Sequence, residues 1–162
     1  MDARNRITHS TGLAYKGLGE LDLVYYQRTA GSGSGRLVEM MEAGRVLRAV
    51  DDQPAHIRLW LLLAYGVDPV PTPRDLIDHL WPLMDKPRAD NGSDRFLSLM
   101  IEEKSRIVRG RSHRSQAALA AELGIRRQNW AKRWRHAERR IMQELSDIDH
   151  EGLSAVESAV RK

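Results

Sequence analysis

Residues 115–145 read SQAALAAELGIRRQNWAKRWRHAERRIMQEL, and this stretch decides the fold. Leu119, Ala120 and Leu123 form one apolar face of a short helix, with Ser115 placed to cap its start. Gly124 is free to take the positive φ that ends such a helix in a tight turn, and Ile125 fills the corner. A second helix begins at Arg126 or Arg127. It buries Trp130, Trp134, Ala137 and Ile141, positions that share one helical face. Ala120 stands four residues before Gly124 and is small enough for two helices to cross closely there.

The second helix is basic. Arg126, Arg127, Lys132, Arg133, Arg135, Arg139 and Arg140 face one acid, Glu138. A helix lying in the major groove neutralises phosphates along its flanks and meets base edges with its first turns. Arg suits guanine, and Gln or Asn suits adenine. Arg126, Arg127, Gln128 and Asn129 supply those types where the helix starts. Together with Gln116 at the head of the first helix, these residues are the expected DNA-contacting set. Lys104, Arg106, Arg109, Arg111 and Arg114 extend the basic patch upstream, as phosphate contacts that position without reading sequence. A flexible solvated link is the alternative for residues 109–114. For the helix itself the competing reading is a merely solvated basic face. The spacing of Gln116, Ala120, Gly124 and Ile125, with a hydrophobe at Trp130, weighs against it. This stretch resembles the helix-turn-helix family of transcription regulators, which place Gln, Ala, Gly and a branched aliphatic at those spacings. It departs from them at Trp130, where the family has Val, Ile or Leu. It departs again in the long basic continuation from Arg133 to Arg140, which fits phosphate or a protein partner.

Working outward, Asp94 to Val108 reads as a helix with Phe96, Leu97, Met100, Ile101 and Ile107 inside. Lys86 to Ser93 (KPRADNGS) is polar, with Pro and Gly, and marks a boundary between subdomains. Thr72, Pro73 and Asp75 form a helix start, and Pro82 ends or kinks the helix that carries Leu76, Ile77, Leu80 and Trp81. Ala55 to Tyr65 is a helix that stops at Gly66 and is apolar on nearly every side, as a buried central helix would be. Asp51-Asp52-Gln53-Pro54 precedes it as a start signal. Leu37, Met40, Met41, Val46 and Leu47 recur at helical spacing. Gly31 to Gly35 (GSGSG) is a flexible link by composition, since no Lys-Ser/Thr follows to make it a phosphate loop. Leu21 to Tyr26 is a strand or a helix turn, and residues 1–20 read as an arm or irregular segment. Asp75, Asp78 and His79 are neighbours on a solvated helix face. The expected fold is all-α: a small helical N-terminal module followed by a helix-turn-helix domain with a long basic recognition helix. Its parts are an arm and linker (1–35), a packing and protein-contact module (36–88) and the DNA-binding domain (89–162).

Composition bounds the function. Of 162 residues, 41% are hydrophobic, enough for a core, and the net charge is +4. No cysteine is present, so disulfides and thiolate metal sites are excluded. The six His show no ligand spacing, and no metal or cofactor is expected. The first ten residues lack the apolar stretch of a signal peptide, and the run Leu59 to Tyr65 is too short to span a membrane. The expectation is a cytoplasmic protein of the host cell, associated with the nucleoid. No carboxylate cluster, Cys nucleophile, or Tyr set among Arg and His appears, which argues against an enzyme.

Two further resemblances bear on the partner. Residues 53–80, a helix ending in AYG, a turn and then TPRDLIDHL, are similar to the start of the promoter-reading end domain of sigma factors. Trp81-Pro82 stands in place of the expected Gly turn, and no basic helix follows. By size and architecture the chain resembles the phage late-gene antitermination proteins of the Q type. That resemblance implies a specific double-stranded DNA site near a late promoter, contact with RNA polymerase and its sigma factor, and a polymerase that reads through terminators. The missing cysteines exclude the zinc-binding subtype. A homo-oligomer on DNA would match a palindromic or repeated site. The alternatives are the DNA-binding small subunit of a phage packaging terminase and a simple helix-turn-helix repressor or activator.

Overall fold

The computed structural model describes residues 2–8, 33–66, 74–84 and 91–161. Among them the fold is all-α, as expected. The order is α1 (residues 3–8), α2 (Gly33–Asp51), α3 (Ala55–Tyr65), α4 (Arg74–Leu80) with a 3-10 turn at Trp81–Leu83, α5 (Asn91–Val108), α6 (Gln116–Glu122), α7 (Arg127–Arg133) and α8 (Arg135–Val160).

The longest helix, α8, organises the rest. Ile141, Leu145, Ile148 and Val156 are buried at helical spacing along one side of it. That stripe packs against α2, α3 and α5. Gly152 belongs to the same face. A Cβ there would fall 2.9 Å from both Ile57 Cγ2 and Leu61 Cδ1, so glycine lets α3 and α8 approach closely. Val46, Trp60, Leu97, Leu119, Trp130 and Val156 belong to one hydrophobic cluster. The core is therefore continuous across the polar segment read as a boundary, most of which lies outside the described residues.

A buried carboxylate ties the N-terminal half to α8. Asp149 Oδ1 accepts hydrogen bonds from Trp60 Nε1 at 2.9 Å and Tyr65 Oη at 2.6 Å, while Arg4 Nη2 lies 3.6 Å from Oδ2. Both donors come from α3 and must find partners once buried. Burial, and next the Asp149 carboxylate, push the Tyr65 hydroxyl well above its usual pKa, so it stays a donor.

Several expectations are met. Helix α3 has the expected span and ends at Gly66. Pro82 ends the α4 helix in a 3-10 turn. Others are corrected. Residues 3–8 are not a loose arm: Ala3 and Ile7 are buried in the core, and Thr8 Oγ1 donates to the Tyr65 carbonyl at 2.8 Å. The Gly-Ser run is not all linker, because α2 begins at Gly33. Met41 is 57% exposed, on the outer side of α2. On α3, Leu59, Leu62 and Leu63 are only half-buried. Helix α5 starts at Asn91, inside the predicted boundary. His79 is not on a purely solvated face. Its ring stacks on His56 with centroids 3.9 Å apart, and its Nε2 lies 2.9 Å from Glu144 Oε1. The expected cap at Thr72, the Leu21 to Tyr26 run and Gly31-Ser32 lie outside the described residues.

Replacing Asp149 by Ala leaves the Trp60 and Tyr65 donors buried without a partner. The expected loss of stability is about 2–4 kcal/mol in urea unfolding, against about 0.5 kcal/mol or less for the exposed Asp147→Ala.

Candidate nucleic-acid interface

Helix α6 is built as its sequence demands. Ser115 Oγ accepts a hydrogen bond from Ala118 N at 3.2 Å and caps the helix. At the other end Gly124 takes φ +70°, Gly124 N bonds the Ala121 carbonyl at 3.0 Å, and Ile125 N bonds the Ala120 carbonyl at 2.9 Å. This paired closure is the Schellman arrangement, which needs a left-handed residue and so favours glycine. Leu119 and Ala120 are buried. The chain then enters α7 after an extended Arg126.

The expected single basic helix is two helices. It stops at Arg133, Trp134 takes φ −117°, and α8 starts at Arg135. The change falls where a second indole meets the core. Trp130 and Trp134 both bury against Phe96, with centroids 5.3 Å and 4.5 Å away. Trp134 stacks on Phe96 at 25°. The 4–3–4 spacing alone does not reveal this.

On α7 only Trp130 is buried, whereas Arg127, Gln128, Asn129, Ala131, Lys132 and Arg133 are exposed. At about 100° per residue, Gln128 and Lys132 stand opposite Trp130, with Arg127 and Arg133 to either side of it. Arg126, Arg135 and Arg139 are exposed too, and Arg140 is half-buried. Among the described residues no acid pairs with Arg126, Arg127, Lys132, Arg133, Arg135 or Arg139. The one acid between Arg126 and Arg140 is otherwise engaged: Glu138 Oε2 accepts from Trp130 Nε1 at 2.8 Å and from Gln116 Nε2 at 3.3 Å. The outer face of α7 and the first turns of α8 therefore form a cationic surface. Gln116 sits behind it, half-buried and bonded to Glu138.

The upstream cations are mostly structural, which corrects the extended patch. Arg114 is held by three acids: Nε to Glu103 Oε2 at 2.5 Å, Nη1 to Glu122 at 2.7 Å and Nη2 to Glu102 at 3.3 Å. Its backbone N–H adds a 2.6 Å bond to Glu103 Oε1. Arg109 Nη2 donates to the carbonyls of Leu63 at 2.7 Å and Gly66 at 3.1 Å, satisfying the end of α3. Lys104 Nζ bonds Ser146 Oγ at 2.6 Å, and Arg106 is half-buried. Arg111 is exposed. The segment between α5 and α6 is thus pinned rather than a free linker.

The Glu103 side chain is 1% exposed. Burial opposes its ionisation, but the Arg114 backbone N–H and guanidinium, with His113 nearby, outweigh burial and hold its carboxyl below the usual range. A lowered carboxyl pKa adds stability at pH values above the unfolded-state value. That stability drains away as pH falls through the folded-state value. Arg114→Ala is expected to cost about 3 kcal/mol or more, because it strands a buried carboxylate. The variant should also lose part of the acid destabilisation expected of wild type below about pH 4.5 when unfolding is followed against pH.

A family model described as phage antitermination protein Q matches residues 37–162. No curated protein and no solved structure matches the chain.

Proposed function

The chain belongs to the phage antitermination protein Q family, and from that membership we propose that it is a sequence-specific DNA-binding regulator that also contacts RNA polymerase. The family consists of regulators of transcription and not of catalysts. α6, the Gly124 turn and α7 act as a helix-turn-helix unit, with α7 presented to the major groove of double-stranded DNA.

One observation carries this reading: among the described residues, six exposed cations on α7 and its borders lack acid partners, while the only acid between Arg126 and Arg140, Glu138, is drawn to Trp130 and Gln116. Gln128 faces outward, where it can meet adenine edges, and Arg127 beside it can meet guanine or phosphate. Asn129 and Lys132 border the same face. Arg126, Arg133, Arg135, Arg139 and Arg140 supply phosphate contacts, and Arg135 to Arg140 are also available to a protein partner. Gln116 acts from behind through Glu138 as well as at the head of α6. The helices before residue 85 supply surface for RNA polymerase and its sigma factor. Self-association would occur on the DNA.

Selection of bound DNA from a random library identifies the site, and read-through of a terminator by purified host RNA polymerase tests the activity. Absence of both binding and read-through would overturn the proposal. With the selected site, Arg127→Ala or Gln128→Ala should each cost about 1–3 kcal/mol and relax preference at one base position. Arg139→Ala should weaken binding evenly across sequences and lower the salt slope by about 1. Equal behaviour of all three variants would mean that α7 does not read bases.

A further inference from the structure

We propose that Glu138 is a positioning residue, a carboxylate joint that fixes α7 against α6 and α8. The inference rests on the reading of α7 as the DNA-facing helix, but the joint itself can be tested without DNA. A single oxygen, Oε2, accepts from Trp130 Nε1 at 2.8 Å and from Gln116 Nε2 at 3.3 Å. Gln116 opens α6, Trp130 is the one buried residue of α7, and Glu138 lies in the first turn of α8. All three elements of the unit therefore converge on one atom. The Glu138 backbone is secured as well, since its N–H bonds the Trp134 carbonyl at 2.7 Å across the helix break.

The need for such a joint follows from size. Helices α6 and α7 have seven residues each, about two turns, too short to hold their own orientation. Trp130 is the one buried side chain of α7 and Trp134 holds its C-terminal end, so the first turn, with Arg127 and Gln128, has no buried side chain of its own. The indole N–H fixes the roll of α7, because its donor must aim at the carboxylate. The roll angle decides whether Gln128 or a flanking cation faces outward. An acid suits this place for a second reason: a charged acceptor holds two donors more firmly than a neutral one.

The test compares Glu138→Ala with Glu138→Gln. Both lose one negative charge beside a cationic surface, so both alter non-specific DNA affinity alike, but only Gln keeps an acceptor oxygen. Their difference therefore reads the acceptor and its side-chain stem apart from the charge. Amide hydrogen exchange in the free protein should quicken over residues 127–133 in Glu138→Ala, with α3 and α5 unchanged and Glu138→Gln intermediate. The affinity ratio of selected site to random DNA should fall about three- to tenfold in Glu138→Ala and less in Glu138→Gln. Trp130→Phe, which removes the donor without a charge change, should lower the ratio too, and its effect should not add to that of Glu138→Ala. Exchange that is unchanged, or that quickens equally in α3, α5 and α7, overturns the joint, as does full additivity of the two substitutions. Loosening confined to α7 with an unchanged affinity ratio keeps the joint and overturns α7 as the reader.

Discussion

The apolar stripe of α8 is the constraint from which the rest follows. Ile141, Leu145, Ile148, Gly152 and Val156 face one way for most of its 26 residues. Helices from both ends of the sequence must come to it to cover that surface. Burying several aliphatic side chains is worth about 1.5–3 kcal/mol each. Polar contacts then select among the ways of covering it. Asp149 admits α3 in the register where Trp60 and Tyr65 reach it. Arg109 and Arg114 hold the connection to α6, one on the carbonyls of α3 and one among acids of α5 and α6.

The same logic separates two groups of arginines that look alike in sequence. Arg109 and Arg114 are consumed by carbonyls and carboxylates nearby. Those from Arg126 to Arg139 face solvent. A guanidinium close to the helix ends and acids of its own core finds a partner there, while those on the exposed sides of α7 and at its borders do not. Charge along the chain is thus a poor guide to charge on the surface, and the cationic face is narrower than the sequence implies.

Local signals are legible in the residues themselves. The Ser115 cap, the turn at Gly124 and the span of Ala55 to Tyr65 each depend on interactions within a few residues, and each is found. What escapes such a reading depends on distant partners. At the break, Trp134 stacks on Phe96, nearly forty residues away in sequence. The role of Arg114 needs Glu102 and Glu103 brought from α5. The packing of residues 3–8 needs a core that forms far down the chain. Helix α8 continues past Leu145, the last residue of the stretch that decides the fold, and α3 meets this second half at Asp149 and Gly152. Of the candidate interface, the outward cations are legible, but the tie from Gln116 and Trp130 to Glu138 is not, since it joins three helices at one atom.

The single-residue break at Trp134 has a geometric consequence. Beyond it runs a rod about 39 Å long, clamped by core along its far half. Helix α7 departs from the end of this rod with no slack, because the break is one residue and that residue is buried. The two helices have the form of a bracket whose corner is a single buried residue. Whatever grips one arm sets the heading of the other, so two surfaces held at once must lie at a separation and angle that the protein dictates. It would act as a gauge of the distance between them.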